Sequence, residues 1–437
     1  MNKVISVIML TLFLVGCAAN SPFNRSYVSK SMEERTDFGI SGISKPGEFS
    51  LPANTSLSDG LTQDEAVAIA LWNNAQFLAD LAALGFARAD LLEASLLPNP
   101  VFSIFFPVGP KKLETKLNYP FEILWQHPRR VAAAKLDVEQ ISENLINNGL
   151  GLVRDVHYAF TDLQFAQEKA DLAEKDAKLR SQIADITEAR LRAGDISELE
   201  ASVARIDARR AEDAVIQFSY EITLSQYRLC NLIGLGQNNP KIKIIPNSDS
   251  MKPQAALDEL LTTAFASRPD LRAAELMIEA AGKRAGWEQT RIVNLIGIID
   301  GKDKGEENIT VGPGAQIDIP IFNQSNGKAA RAQAELEQTA LKYAAARHRI
   351  ILEVQEAYNQ NTTVQKEFEI WNSQIVPSLL EAVDQSQKAY ATGDKSYLFV
   401  LETMRQLNEA LMRQADLKAN LQKAAAQLNY SVGRKIN

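Results

Sequence analysis

The sequence has few cysteines and histidines, and their positions exclude several kinds of site. It contains two cysteines, Cys17 and Cys230, and three histidines, His127, His157 and His348, which lie far apart. None of them has the spacing of a metal site, so we interpret the histidines as incidental. The sequence also lacks a glycine-rich phosphate loop, a nucleophile elbow and a distinctive pair of carboxylates. It therefore predicts no catalysis, no cofactor and no bound metal.

Net positive charge and long apolar runs are also missing. The formal net charge is -7, and no basic cluster is present. Because nucleic-acid binding needs a basic face, nucleic acid is excluded as a partner. After the first residues, no segment approaches about 18 uninterrupted apolar residues, which excludes a helical membrane span. A chain of this kind that crosses a membrane is expected to do so with strands.

The start of the chain predicts export and lipid attachment. The apolar stretch 4–15 is followed by Gly16 and Cys17, a pattern typical of a bacterial lipobox. The stretch is too short to span a bilayer, so residues 1–16 are predicted to be a signal peptide. Cys17 is then the lipidated first residue, and Ala18 resembles the signal for the outer membrane. An ordinary signal peptide with an incidental cysteine is the alternative. With Cys17 lipidated, no intrachain disulfide is expected.

The rest of the chain divides into an arm and two similar halves. Residues 17–60 lack periodicity and are predicted to be a lipidated extended arm. Residues 61–235 and 257–433 share one order of elements: helix, two strand-like segments, long helix, helix. Residues 236–256 are predicted to connect the halves, wrapped around the helices, with a plain linker as the alternative. Residues 434–437 form a tail. The sequence thus predicts a tandem duplication.

Four segments have strand character: 101–106, 113–121, 291–299 and 308–321. The second and fourth alternate apolar and polar residues, so one face suits lipid and the other water. The first and third are apolar on both faces and do not indicate an orientation. We interpret residues 300–307 as an exposed polar turn rather than a calcium loop, because lysines stand where oxygen ligands are required.

The number of strands predicts that chains share a sheet. An open sheet edge is not tolerated in hydrocarbon, and closed membrane barrels need about eight strands or more. One chain is therefore too small to close a barrel, whereas three chains with four strands each give twelve. A soluble four-stranded sheet against a helical bundle is the alternative.

Helix signals are strong in both halves. Thr62 and Glu65 fit a capping box at the start of the first helix. Long helices are predicted at 129–193 and 326–392, each followed by a Gly-Asp turn. Glycine suits the left-handed position that ends a helix, and aspartate suits the cap that starts the next. The predicted helix ends are Gly194 and Gly393, and the predicted caps are Asp195 and Asp394. Glu198 is the expected capping partner of Asp195.

This ordered repetition resembles the TolC-type outer-membrane efflux protein family over residues 61–433. The resemblance is carried by the two Gly-Asp turns and by the strand ends Tyr119-Pro120-Phe121 and Ile319-Pro320-Ile321. It implies a mainly α fold with a small β part, in which long coiled-coil hairpins and four strands per chain build a trimer. The trimer has a twelve-stranded β-barrel and a twelve-helix α-barrel. Its expected partners are a periplasmic adaptor, an inner-membrane pump and outer-membrane lipid.

The resemblance also implies roles for particular residues. The hairpin tips that meet the adaptor match Ala193, Gly194, Asp195, Thr392, Gly393 and Asp394. In related channels, acidic residues shortly after the second tip ring the periplasmic aperture. Here Glu402 occupies one such position and Phe399 the other, which puts a two-ring cation gate in doubt. A solvated helix face is the alternative reading of Glu402.

The expected function is passive conduction from the periplasm to the exterior when an adaptor and a pump engage the duct. The resting hairpins are expected to close the inner end, and adaptor binding to splay the second helix pair. A type I secretion duct and a lipid-anchored periplasmic bridge without a pore are the alternatives. The run of residues 320–327 resembles the heavy-metal efflux branch, while drug efflux stays open.

Overall fold

The computed structural model describes most of the chain. The described residues are 20–40, 49–52, 55, 59–106, 113–121, 123–236, 242–247, 255–290, 295–303, 309–319, 321, 325–392 and 394–436. The signal peptide 1–16, Cys17 and Gly393 lie outside the described residues, as does Pro320. The predictions made for them are therefore not compared with the structure.

Long helices and short strands alternate in the order predicted for the two halves, which confirms the fold class. α1 (Arg25–Thr36) precedes the first half, which contains α2 (Gln63–Asn73), α3 (Ala75–Ser95), β1 (Val101–Phe105), β2 (Leu113–Pro120), α4 (Ile123–Ala193) and α5 (Glu198–Leu232). The second contains α6 (Leu257–Ser267), α7 (Pro269–Thr290), β3 (Leu295–Asp303), β4 (Ile309–Ile317), α8 (Asn326–Ile370), α9 (Val376–Ala391) and α10 (Tyr397–Val432). Among the described helices, none alone has the length and apolar character to cross a membrane, although α2 and α3 satisfy both requirements as a bent pair.

The first predicted helix of each half is broken once. Asn74 has an extended backbone, and its side-chain Oδ1 accepts a hydrogen bond of 2.9 Å from the Phe77 N–H, so α3 starts afresh there. In the second half, α6 ends before Arg268, and Pro269 opens α7. A residue before proline is driven away from the helical conformation, which accounts for this break. Before α2, the predicted capping box of Thr62 is present.

The prediction of an extended arm at 17–60 was wrong for α1. Asn24 Oδ1 accepts a hydrogen bond from the Tyr27 N–H at 3.0 Å, as a helix cap does. Val28 and Met32, one turn apart, are fully buried, and Met32 packs against Gly149 of α4. Two apolar residues in an otherwise polar stretch give too weak a periodicity to read from the sequence.

α1 binds the ends of two later helices. The Arg35 guanidinium donates hydrogen bonds to the Ser267 carbonyl at the end of α6 and to the Gly433 carbonyl, 3.2 Å away, after α10. The Lys435 N–H donates to the Arg35 carbonyl at 2.8 Å, and Lys435 Nζ contacts the Asp37 carboxylate at 2.6 Å. The three bonds to backbone carbonyls satisfy groups that a helix end leaves without internal partners.

The chain divides into two compact units. The described residues of the first unit fall within 20–28, 79–146 and 269–349, and those of the second within 29–78, 147–268 and 350–436. In the first unit, Leu91, Val138 and Leu276 are buried, and Arg284 and Arg272 of α7 pair with Asp137 and Glu139 of α4 at 2.6 and 3.1 Å. In the second unit, fully buried side chains form the core of the helices: Phe160, Leu163, Leu229, Ile233 and Ile350.

The connecting segment lies against the helices of the second unit, where it is described. The Leu61 N–H donates to the Lys243 carbonyl at 2.8 Å, and the Ile245 N–H donates to the Leu61 carbonyl at 2.9 Å. Asn247 N–H donates to Gln164 Oε1 of α4 at 3.2 Å. Leu61 and Ile244 thus form an isolated parallel bridge before α2.

The long second-half helix widens before its proline. Residues Trp371–Ile375 form a π-helical turn in which the Val376 N–H donates to the Trp371 carbonyl. Pro377 follows immediately at the start of α9. Because proline has no N–H to donate to the preceding turn, the helix continues past it with one looser turn.

Candidate functional site

The four described strands form one antiparallel sheet in the order β1-β2-β3-β4. β3 runs to Asp303, so residues 300–303 of the predicted polar turn belong to a strand instead. They are held there by pairing with both neighbours, since Asp300 lies opposite Lys116 of β2 and Gly312 of β4. The sheet belongs entirely to the first unit.

One face of this sheet is apolar across its strands. The register places Phe102 opposite Leu117, Leu117 opposite Ile299, and Ile299 opposite Pro313, so these four side chains share a face. Residues two positions along each strand also lie on this face, as successive side chains alternate. The large exposed side chains of this face are Phe102 (60%), Ile104 (50%), Ile299 (52%), Val311 (68%) and Ile317 (56%). The register thereby assigns faces to β1 and β3, which their sequences did not.

The other face carries four charged side chains, whereas Asp303, the last residue of β3, lies on the apolar face. Lys116 Nζ lies 3.3 Å from the Glu114 carboxylate, and Lys302 Nζ lies 2.5 Å from that of Asp300. Lys116 Nζ also lies 5.2 Å from the centre of the Phe105 ring. The two faces of the sheet therefore suit two different solvents, one apolar and one aqueous.

The outer strands of the sheet are open. Within the described residues, β1 pairs with β2 alone and β4 pairs with β3 alone. An exposed edge with apolar side chains is a template for pairing with another chain.

Two aromatic rings mark the end of β2. The Tyr119 and Phe121 rings meet edge to face with centroids 6.0 Å apart. The Phe121 ring covers Gly297 of β3, where a side chain of any other residue would collide with it. The Phe121 N–H donates to the Leu295 carbonyl at 2.7 Å, which holds the ring in this place.

The first hairpin tip joins α4 to α5. Gly194 has a φ of +82°, and the Asp195 N–H donates to the Arg190 carbonyl at 3.0 Å. This bond is typical of a helix that ends at a left-handed glycine. Ala193, Gly194 and Asp195 are all exposed.

The predicted caps of α5 and α10 were wrong. Ser197, not Asp195, is the cap of α5, and its Oγ accepts from the Glu200 N–H at 3.3 Å. Ser396, not Asp394, precedes α10. In both hairpins the turn takes two more residues than we predicted.

The second hairpin tip repeats one backbone hydrogen bond of the first. The Asp394 N–H donates to the Ala389 carbonyl at 2.8 Å, the counterpart of the bond from Asp195 to Arg190. Thr392 Oγ1 donates to the Asp394 carboxylate at 2.9 Å. Thr392 and Asp394 are exposed.

Near their tips, the two hairpins contact each other through an apolar cluster and a polar pair. Ile183 of α4 packs against residues of α10 in a buried cluster with Val400, Leu401 and Met404. The Arg190 guanidinium of α4 lies over the Tyr390 ring of α9, 5.2 Å from its centre, and donates a hydrogen bond to the Tyr390 hydroxyl. α9 and α10 are joined to each other by a buried bond of 2.9 Å between the Ser386 and Thr403 hydroxyls.

Glu402, a predicted aperture residue, is paired with a cation. Arg405 Nη2 and Nε donate to its two carboxylate oxygens at 2.7 and 3.0 Å, and Gln406 donates to it at 2.8 Å. The bonds from Arg405 and then from Gln406 lower the pKa of Glu402 to about 2. Arg405 also pairs with Glu409 at 2.5 Å. Phe399, one turn before Glu402, is exposed.

One exposed face of α5 carries an apolar stripe at heptad spacing, which the exposed Asp213 interrupts. Leu199, Ile206, Tyr220 and Tyr227 are separated by seven or fourteen residues, and each is more than half exposed. Seven-residue spacing is the pattern by which helices pack in coiled coils.

Metal-ligating and thiol groups form no cluster in the described part of the chain. No group of three His, Cys, Asp or Glu side chains there is placed to hold a metal ion. His127 Nε2 lies 2.8 Å from the Ser95 carbonyl at the end of α3. Cys230 is buried, and burial raises the pKa of its thiol.

The sequence analysis missed Arg190, Tyr390 and Arg405. Arg190 and Tyr390 lie within four residues of the two matching Gly-Asp turns, so the duplication itself was the available signal. Arg405 stands three residues after Glu402, a spacing at which side chains meet on a helix.

The comparison with protein families identifies one match. The family described as outer membrane efflux protein matches residues 111–235 and 260–434. These ranges contain β2 to α5 and nearly all of the second half.

Two curated relatives illustrate the similarity. The chain is 22% identical over 379 residues to the cobalt-zinc-cadmium resistance protein CzcC of Cupriavidus metallidurans, covering 86% of this chain and 90% of that one. It is 25% identical over 321 residues to the pyoverdine export outer membrane protein OpmQ of Pseudomonas putida, covering 70% and 65%.

Solved structures share the fold. CusC superposes with a TM-score of 0.73 at 20% identity, covering 90% of this chain and 99% of that one. The open state of the Neisseria gonorrhoeae MtrE outer membrane channel superposes with a TM-score of 0.68 at 16% identity, covering 90% and 98%.

Proposed function

The chain belongs to the outer membrane efflux protein family, and from this premise we propose how its surfaces produce efflux across the outer membrane. Three copies form one duct that conducts solutes passively from the periplasm to the exterior. The observation that carries this proposal is the two-faced sheet with open edges. No covalent chemistry is required of the chain.

The sheet supports a shared barrel. Its apolar face exposes large side chains such as Phe102 and Val311, and its outer strands lack partners among the described residues. In hydrocarbon, backbone groups of an open edge have no water to bond with, so each edge must pair with another strand. A copy of the same chain supplies that strand, and three sheets of four strands give a closed barrel of twelve.

The helices support the same assembly. α4 spans 71 residues, which corresponds to on the order of 100 Å at about 1.5 Å per residue. The apolar stripe of α5 that begins at Leu199 packs against a helix of the neighbouring copy in a helical barrel, since no described helix of its own chain covers it.

The hairpin tips are the proposed docking sites for a periplasmic adaptor, which links the duct to an inner-membrane pump. Both tips end in exposed residues, Ala193 to Asp195 in one and Thr392 and Asp394 in the other. Their backbones are fixed by equivalent bonds, so the two present similar surfaces to a partner. Gly393 completes the second tip in this proposal.

The resting duct is proposed to be closed by the second hairpin. The contact of Arg190 with Tyr390 and the cluster around Ile183 hold α9 and α10 against α4. Adaptor binding splays α9 and α10 away from α4 and opens the periplasmic end. Glu402 and Phe399 lie on α10 within this moving part, so they are proposed to line the aperture, with Arg405 offsetting the charge of Glu402.

Cys17 is the proposed lipid anchor. Replacing it with Ser should abolish the mass of the attached lipid on the mature chain and leave the barrel assembly intact, because the strands lie far along the chain. Mass spectrometry of the wild type and of Cys17→Ser, both extracted from outer-membrane fractions, tests this. An unmodified wild-type chain would show that the cysteine is incidental.

Divalent metal ions are the proposed cargo. This proposal rests on the relative named as a cobalt-zinc-cadmium resistance protein and on the residues 320–327. A strain that lacks the gene should become sensitive to zinc, cobalt or cadmium and recover with the wild-type copy. Sensitivity to an unrelated drug, or loss of an exported protein, with metal resistance unchanged would favour drug efflux or type I secretion instead.

The channel itself is tested by reconstitution. We expect the detergent-extracted, full-length protein to have the mass of a trimer and to pass ionic current in planar bilayers. A monomer that passes no current would instead support a lipid-anchored periplasmic bridge.

A further inference from the structure

Four charged side chains on the polar face of the sheet form one continuous cluster. Glu114 pairs with Lys116 along β2, and Asp300 pairs with Lys302 along β3. The register places Lys302 opposite Glu114 and Asp300 opposite Lys116, so opposite charges alternate both along and across the strands. The formal charges of the four side chains cancel.

The cluster occupies one half of the sheet. Its two rows lie where β1 ends and β2 begins, away from the ends that join α3 and α4. The next row towards the helices contains Val101, Asn118 and Ile298 and has no charge. Rows of the same face are about 7 Å apart, so the charges form a narrow band rather than a general polar surface.

We propose that this band faces the water inside the shared barrel and leaves the outer part of the pore without net fixed charge, so that it passes cations and anions with little discrimination. The inference rests on the proposed trimeric channel. Between these two rows the opposite face has no charge, since Ile104, Thr115, Gly301 and Val311 lie there, and it therefore turns to lipid.

The band sets the ion selectivity of the pore because its positive and negative charges cancel. A pore wall with charge of one sign concentrates counter-ions, and rings of charged side chains select ions on this basis. Because the acidic and basic groups are within 3.3 Å of each other in each pair, their fields cancel within a short distance. Removing both charges of one sign leaves two charges of the other sign in each chain, and therefore six around the trimer.

The test is the reversal potential of the reconstituted full-length protein in a potassium chloride gradient. The wild type should reverse near zero. Replacing both cations, Lys116→Gln with Lys302→Gln, should raise the cation-to-anion permeability ratio by about tenfold at low salt. Replacing both acids, Glu114→Gln with Asp300→Asn, should shift it the other way. Both shifts should shrink at about 1 M salt, where the Debye length is about 3 Å.

Asp303→Asn is the matched control. Asp303 is on the same strand as Asp300, but it lies opposite Leu113 and Ile309 and so on the apolar face. This variant should leave the reversal potential unchanged, while Asp300→Asn alone shifts it towards anions. The proposal would be overturned if Asp303→Asn and Asp300→Asn shifted the reversal potential equally, or if neither double variant shifted it, in a protein whose wild type conducts. Absence of wild-type current would instead count against the channel.

Loss of folding is separated from loss of selectivity by an exchange variant. The exchange variant combines Glu114→Lys, Lys116→Glu, Asp300→Lys and Lys302→Asp. Because both pairs are reversed, the net charge stays zero and opposite charges still face each other across β2 and β3. It should conduct with the selectivity of the wild type. A strongly selective exchange variant would show that the individual positions, and not their compensation, set the selectivity.

Discussion

Tyr390→Phe tests the proposed closure of the second hairpin. The substitution keeps the aromatic ring under the Arg190 guanidinium and removes only the hydroxyl that accepts its hydrogen bond. Both side chains are half-buried. A hydrogen bond from a charged donor contributes about 1.5 kcal/mol at the lower end of its usual range, which applies at a half-buried site. We therefore expect the closed state to lose about 1.5 kcal/mol per chain.

This free energy converts into a population of open channels. Each loss of about 1.4 kcal/mol changes an equilibrium about tenfold, so one chain shifts about tenfold towards the open form. If three chains open together, the open-to-closed ratio rises by up to about a thousandfold. Arg190→Ala removes the ring contact as well, which adds about 0.5 to 1 kcal/mol per chain.

Single-channel recording in planar bilayers measures the open probability of these variants. Arg209→Ala is the matched control, since Arg209 is exposed on α5 of the first hairpin and pairs with Glu212 on the same helix. The open probability should rise from the control to Tyr390→Phe and again to Arg190→Ala. An open probability that stays at the control value in both variants would refute the role of this contact.

Three further predictions concern residues of the second unit. Arg268, 3% exposed, binds Glu353 at 2.9 Å and two backbone carbonyls, so Arg268→Met should lower the free energy of unfolding by about 3 to 5 kcal/mol. The control is Arg413→Met, whose ion pair is exposed and which should lower the free energy of unfolding by less than about 1 kcal/mol. Chemical unfolding followed by circular dichroism measures both variants, and equal losses of stability would contradict the role of burial. Arg405→Gln should return the depressed pKa of Glu402 towards its usual value, so the conductance of this variant should change in a step between about pH 5 and pH 4. The wild type should lack this step because the pKa of its Glu402 is about 2. A step with the same midpoint in the wild type would contradict the prediction. Gly194→Ala places a side chain at a φ of +82° and should lower the free energy of unfolding by about 1 to 2 kcal/mol. The same unfolding assay measures this loss. An unchanged unfolding midpoint would mean that the turn relaxes to accept alanine.

The strands show what alternation does and does not predict. β2 alternates strictly, so its apolar and polar faces were predicted from residues 113–121 alone. β1 is apolar at nearly every position, and its faces follow only from its pairing, in which Phe102 lies opposite Leu117. A strand that alternates apolar and polar residues shows which face is apolar, whereas a uniformly apolar strand does not. The β3 limit was missed because Asp300 and Lys302 look like turn residues until their partners across the sheet are known.

The helix ends show a second limit of prediction from sequence. The capping box of Thr62 was predicted and is present, because both partners lie within four residues. The cap of α5 was misplaced, because Asp195 and Ser197 are equally good caps and only the length of the turn decides between them. α1 escaped prediction because its stability comes from residues far along the chain, such as those that bind Arg35.

The contact of Phe121 with Gly297 keeps the strands from slipping along each other. A slip of one residue between β2 and β3 would move the charged side chains of one strand to the apolar face, which alternation already disfavours. A slip of two residues preserves both faces and is therefore not excluded by the apolar pattern. It would, however, bring Leu295 or Ile299 under the Phe121 ring, where only a glycine leaves room. Gly297 therefore restricts β2 and β3 to a single register, and this register fixes how the two halves of the chain align in the sheet.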